Sequence, residues 1–195
     1  MHILYLHGFS SAAASHKANA LRQALAPTPF TILDYPSHQP ANAVATISKT
    51  IDRIQQGYYS TGQLALMGSS LGGYYAQYLA AARDDIDKVV LINPALAPQA
   101  PLRPWIGTNT NMVSGESFLF SHADWEQLTR YDVSGDQIHK PTLLLVDAGD
   151  TVIPPEHAVD KYRHIRGKTC VYPGGSHSFD HLSEALPEIR HFLGI

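Results

Sequence analysis

Apolar residues along the chain gather in short unbroken runs, and between the runs they recur every three or four positions. The runs cover 3–6, 30–33, 64–67, 89–92, 143–146 and 169–172. Continuous rather than alternating apolarity predicts strands covered on both faces. Between them, Ala18, Leu21 and Leu25 follow Ser15, a residue suited to an N-cap. Ile47, Ile51 and Ile54 make one stripe behind Pro40, which fits a first helical turn. A third helical stretch starts near Leu71 and runs through Tyr75, Tyr78 and Leu79 to about Arg83. A fourth covers 155–164, and a last one, 183–193, stops at Gly194. This alternation predicts an α/β protein of three layers, with about six mainly parallel strands and helices on both faces.

The rhythm fails over 95–140. That stretch follows Pro94, contains Pro98, Pro101 and Pro104, holds both Trp105 and Trp125, and shows no convincing β run. Ser121 and Asp124 have the spacing of a capping box ahead of a helix bearing Trp125 and Leu128. A long irregular insertion reads as a lid or binding loop. The expected organisation is a single domain over 1–195 with 95–140 as a small cap over one end of the sheet.

Composition narrows the partners. A hydrophobic share of 44% in 195 residues supports one sizeable core. Fourteen basic against 17 acidic residues, net −3, leave no excess of positive charge for nucleic acid or an anionic membrane. No apolar run nears the roughly 20 residues that span a bilayer. Residues 1–8 lack the basic and apolar regions of a signal peptide, so a cytoplasmic location is expected. Cys170, the single cysteine, precludes an intramolecular disulfide and lies in an apolar run as a small hydrophobe.

The candidate chemistry starts at Gly68-Ser69-Ser70-Leu71-Gly72, a G-x-S-x-G pattern between an apolar run and a helical one. That context fits a nucleophile elbow, where a serine projects from a sharp strand-to-helix turn and bulky neighbours would collide. Taken alone, the pattern equally fits a glycine-rich turn without chemistry. A phosphate-binding turn is disfavoured because G-x-G-x-x-G and a Walker lysine are both missing. A serine needs a base, and in this arrangement the acid follows the nucleophile and the histidine comes last. Asp147 and Asp150 both follow the 143–146 run. Asp150, in the loop, is preferred as the acid, while Asp147 at the strand end suits backbone bonds in an Asx-type turn. His177, in a glycine-rich loop beyond the last run, is the preferred base over His181. A metal reading of the His177/His181 pair lacks a helix, a glutamate and a third ligand. Backbone N–H groups of Leu71 and Phe9, the latter after His7-Gly8, are the candidate oxyanion hole. Phe9, Tyr74, Trp105, Phe118 and Trp125 are the candidate substrate-binding aromatics.

Assembled, these pieces resemble the α/β-hydrolase superfamily, and within it the small bacterial YqiA-type esterases. The resemblance rests on Tyr5-Leu6-His7-Gly8-Phe9-Ser10-Ser11, Gly68 to Ala76, Asn93-Pro94-Ala95, Gly149-Asp150 with Val152, and Gly174-Gly175-Ser176-His177 with Phe179. It implies a cofactor-free and metal-free esterase or thioesterase acting on small acyl esters or thioesters, with Ser70, His177 and Asp150 as triad. It also implies a sheet without a leading antiparallel hairpin. A non-catalytic ligand-binding module on the same fold is the competing reading.

Overall fold

The computed structural model describes residues 1–57 and 62–195. The chain runs β1 (His2–Leu6), α1 (His16–Ala24), β2 (Phe30–Leu33), α2 (Pro40–Gln56), β3 (Leu64–Ser69), α3 (Leu71–Ala82) and β4 (Lys88–Ile92). Then follow α4 (Gln99–Leu102), β5 (Gly107–Thr110), β6 (Ser117–Phe120), α5 (His122–Gln127), β7 (Thr142–Asp147), α6 (Pro155–Tyr162), β8 (Gly167–Tyr172) and α7 (Leu182–Leu193). Six strands form one sheet in the order β2-β1-β3-β4-β7-β8, every pair parallel.

The strands sort their side chains with period two. Leu4, Leu6, Leu64, Leu66, Val89, Leu91, Leu144 and Val146 enter one core with Ala43, Ile47 and Ile51 of α2, most of α3, and Ala158 and Tyr162 of α6. Their neighbours Ile3, Tyr5, Ala65, Met67, Val90, Ile92, Leu143 and Leu145 enter the opposite core with Leu21 of α1 and Ile189 of α7. Burial on both faces is why the inner strands β1, β3, β4 and β7 show uninterrupted apolar runs. It also makes the expected three layers.

The order reverses between β1 and β3: the chain leaves β1 for β2 on one side, then crosses back to β3 on the other. Such a switch point opens a crevice at the carboxyl ends of the strands. Register aligns those ends, pairing Leu6 with Gly68, Ser69 with Ile92 and Asp147 with Tyr172.

Three expectations change. The segment 95–140, read as lacking a β run, contains the antiparallel hairpin β5–β6. Its strands are four residues long and half polar, and their apolar side chains pack from one face only, so no run marks them. Ser10 and Ser11, after β1, anchor the hairpin: Ser10 Oγ donates to the Thr110 carbonyl (2.7 Å), Met112 N–H to the Ser10 carbonyl (2.9 Å), and Asn111 Nδ2 to the Ser11 carbonyl (2.9 Å). Ser15 precedes α1, but its hydroxyl makes no capping bond. The Ser121–Asp124 capping box does form, although α5 ends at Gln127 and Leu128 begins a 3₁₀ turn. No helix among the described residues is long and apolar enough to cross a membrane.

Candidate active site

Ser70 stands between β3 and α3 with φ 54 and ψ −122. A non-glycine residue at such a positive φ carries about 1–3 kcal/mol of strain and needs neighbours that impose it. They are present. Ser70 N–H donates to the Ile92 carbonyl (3.1 Å), and its own carbonyl accepts from the N–H groups of Gly73 (2.9 Å), Tyr74 (3.2 Å) and Ala95 (3.0 Å). The crossing is tight enough that a Cβ on Gly68 would stand 2.4 Å from the Gly72 carbonyl oxygen. One on Gly72 would stand 2.1 Å from that of Leu6. Both motif glycines are therefore steric requirements of the turn.

His177 and Asp150, from loops 107 and 80 residues further along, meet this serine. His177 Nε2 lies 2.9 Å from Ser70 Oγ, and Nδ1 lies 2.7 Å from Asp150 Oδ2. An ionised carboxylate only accepts, so Nδ1 carries the proton and Nε2 is left to accept from the serine hydroxyl. Asp150 Oδ1 accepts from the N–H groups of Val152 and Ile153, each at 2.9 Å. Burial works to raise the Asp150 carboxyl. The bonds from His177 and from these two amides outweigh it and hold the group below its ordinary value. Asp147 is fully buried and does the other job: Oδ2 accepts from Ser176 N–H (3.1 Å) and Asp180 N–H (2.7 Å), and Oδ1 from His181 Nδ1 (2.8 Å). The two histidines thus take separate carboxylates.

Leu71 is the first residue of α3, where helical amides lack an intrahelical acceptor. The loop after β1 passes against the serine, since a Cβ on Gly8 would lie 3.1 Å from Ser70 Cβ. Phe9 follows directly. Ser70, Leu71, Phe9 and His177 share a cavity of about 280 Å³ with Leu102, Trp105, Met112, Val152 and Ile153. A second cavity of about 230 Å³ adjoins it through Ala95, Pro101, Val152 and Ile153 and reaches His157.

Of the expected substrate-binding aromatics, the structure brings Phe9 and Trp105 to the cavity and sets three elsewhere. Tyr74 is buried beneath it, its hydroxyl donating to the Leu128 carbonyl (2.6 Å). Trp125 packs on the core, with Nε1 donating to the Gln99 carbonyl (2.8 Å). Phe118 sits behind Phe9 at 5.5 Å, edge to face, and lines a separate polar cavity of about 340 Å³ with Asp34, His38 and Glu116. A buried aromatic and a pocket aromatic look alike in sequence, so sequence alone does not separate these three from Phe9 and Trp105. Met112, Val152, Ile153 and Leu102 were missed for the converse reason, because aliphatic side chains in loops carry no marker. Lys17 was also missed: its Nζ donates to Ser69 Oγ (2.9 Å). Burial pushes the amine down to about 8, opposed by the charges of Asp147, Asp150 and Asp180.

Solved structures similar to this one share its fold at low sequence identity. Est1E from Butyrivibrio proteoclasticus, in its complex with ferulic acid, superposes with a TM-score of 0.78 at 18% identity, covering 98% of this chain and 87% of that one. The mouse alpha/beta hydrolase domain-containing protein 10 gives 0.74 at 17%, over 99% and 89%. The monoacylglycerol lipase of Paleococcus ferrophilus gives 0.70 at 18%, over 98% and 93%. These likenesses, with the sheet order and crossovers above, show an α/β-hydrolase fold. The model of the uncharacterised protein family UPF0227 matches residues 2–194, practically the whole chain, and the protein belongs to that family.

Proposed function

We propose that the protein is a serine hydrolase that cleaves acyl esters through an acyl-enzyme. The observation that carries this reading is the unbroken line from Ser70 Oγ through the His177 ring to Asp150, with separations of 2.9 and 2.7 Å. His177 Nε2 takes the serine proton as Oγ attacks the ester carbonyl carbon. The carbonyl oxygen becomes an anion held by the N–H groups of Leu71 and Phe9. Asp150, kept ionised, stabilises the imidazolium without itself taking the proton. His177 then protonates the departing alcohol, and Ser70 keeps the acyl group. Water deprotonated by His177 attacks the acyl-enzyme, releasing the acid and restoring the serine.

The apolar cavity beside Ser70 suits the acyl portion, and the segment 95–140 acts as the cap, contributing Pro98, Pro101, Leu102, Trp105 and Met112 to its wall. The test is hydrolysis of p-nitrophenyl esters, with matched acyl thioesters as a second arm, by wild type and Ser70→Ala. Wild type should turn over, and Ser70→Ala should lose about 10⁴-fold or more in kcat. A fluorophosphonate should phosphonylate Ser70 alone with loss of fluoride, read as that mass increment. Equal rates in both proteins would remove the nucleophile. No turnover and no labelling would leave a ligand-binding module.

A further inference from the structure

Asn93-Pro94-Ala95 follows β4 and takes no part in the steps above, yet its three residues touch three parts of the site. Ala95 N–H donates to the Ser70 carbonyl (3.0 Å). Pro94 lies on the elbow helix, where a Cβ on Gly73 would stand 2.8 Å from Pro94 Cβ. Asn93 is buried, at 2% exposure, and its amide is used at both ends. Nδ2 donates to the carbonyls of Ser176 (2.9 Å) and His177 (3.3 Å), while Oδ1 accepts from Asp147 N–H (2.9 Å). Asn93 also adopts φ 41, a left-handed conformation that asparagine tolerates better than most residues. A side chain with both a donor and an acceptor, on a backbone at that angle, is what the position needs.

The loop it grips has little shape of its own. Gly174 and Gly175 enter it at φ 73 and 74, and it closes on Phe179 at φ 63, buried in the core. Asp147 ties the loop to β7, but among the described residues only the Asn93-Pro94-Ala95 step joins the loop and the nucleophile's own carbonyl within three residues of chain.

We infer that Asn93 is a positioning residue that fixes the backbone of His177 so that the ring Nε2 lies at hydrogen-bonding distance from Ser70 Oγ. The inference rests on the proposed serine mechanism. It acts through His177 and touches no substrate, so its loss should lower kcat and leave KM alone. A displacement near 1 Å in such an arrangement costs about 10²-fold.

The test compares wild type, Ser70→Ala, Asn93→Gly and Asn93→Asp on one p-nitrophenyl ester, with folding followed by near-UV circular dichroism and urea midpoint. Asn93→Gly keeps the left-handed backbone without strain and deletes the clamp. Asn93→Asp keeps the size and the acceptor for Asp147 N–H but turns an oxygen towards the two carbonyls. It serves also if the glycine variant does not fold. Rates are taken per natively folded protein, from the folded fraction read by near-UV circular dichroism, so that a misfolded fraction does not count. The expected result is a fall in kcat of about 10²-fold in either folded variant, with KM within twofold of wild type. The Asn93→Asp to wild-type kcat ratio should rise as pH is lowered, because a protonated carboxyl regains one donor. A folded variant with kcat within threefold of wild type, while Ser70→Ala is inactive, overturns the role of Asn93 and leaves the serine mechanism standing. Full activity in Ser70→Ala overturns both.

Discussion

Asp150 and Asp147 lie three residues apart, and their environments separate their duties. Asp150 Oδ2 meets the His177 ring and is held ionised, whereas Asp147 is spent on two amides and His181. Asp150→Asn should therefore fold normally and lose about 10⁴-fold in kcat, since an amide in that place favours the wrong imidazole tautomer. Steady-state kinetics beside an unchanged circular dichroism spectrum check this. The sign of a second effect follows from His181. Its hydrogen bond to Asp147 raises its affinity for a proton above the ordinary value, so folding takes up that proton. The stabilisation is complete below about pH 6.5, the unfolded value, and is lost as pH rises through the higher folded one. Urea midpoints of wild type and His181→Gln should therefore converge between pH 5.5 and 8, and a constant gap would count against the pair. The order nucleophile, acid, histidine narrows the acid and base to one loop each, leaving Asp147 and His181 as alternatives within them, and it is Asp150 and His177 that meet Ser70 in the structure. Lys17 was not legible: a lysine in an amphipathic helix looks solvated until a facing strand is known to offer Ser69 Oγ.

At the level of elements, the elbow is where sequence and geometry agree most closely. Gly72 faces the Leu6 carbonyl oxygen at a distance that excludes any side chain, and the Leu6–Gly68 pairing of β1 with β3 prevents either strand from moving aside. Gly72→Ala should cost about 3 kcal/mol or more, at the upper end for overpacking, and should appear as a lowered urea midpoint or loss of soluble protein. The four inner strands β1, β3, β4 and β7 could be read because burial on both faces produces apolar runs, and the edge strands β2 and β8 because they keep short runs of β-favouring residues although they are only partly buried. Their first residues were lost where a polar residue such as Lys88 or Thr142, or Gly167, begins the strand. The β5–β6 hairpin could not be read. Thr108 and Thr110 face outward and Leu119 is 60% exposed, so neither strand alternates cleanly. Trp125 and Tyr74 show the same limit, since composition alone does not separate an aromatic anchor from a pocket wall.

For the whole molecule, the two adjoining cavities form an apolar path leading from Ser70 towards His157. If acyl chains follow it, kcat/KM should climb with chain length, by up to about 0.8 kcal/mol or roughly fourfold per buried methylene. The climb should flatten once the path is filled. Val152 stands where the cavities join, so Val152→Ser should flatten that series earlier while acetyl esters change least, a comparison within one ester panel. Ser70, Asp150 and His177 all lie outside residues 95–140, whereas Trp105 and Met112 of the cavity wall lie inside them. On the proposed mechanism the bond-cutting groups thus come from outside that stretch, while the wall that meets the substrate draws on both, with Trp105 and Met112 inside it and Phe9, Val152 and Ile153 outside. A transplanted 95–140 from a relative, kept in step at Ser10 and Ser11, would give a chimera with the same chemistry and another taste in substrates.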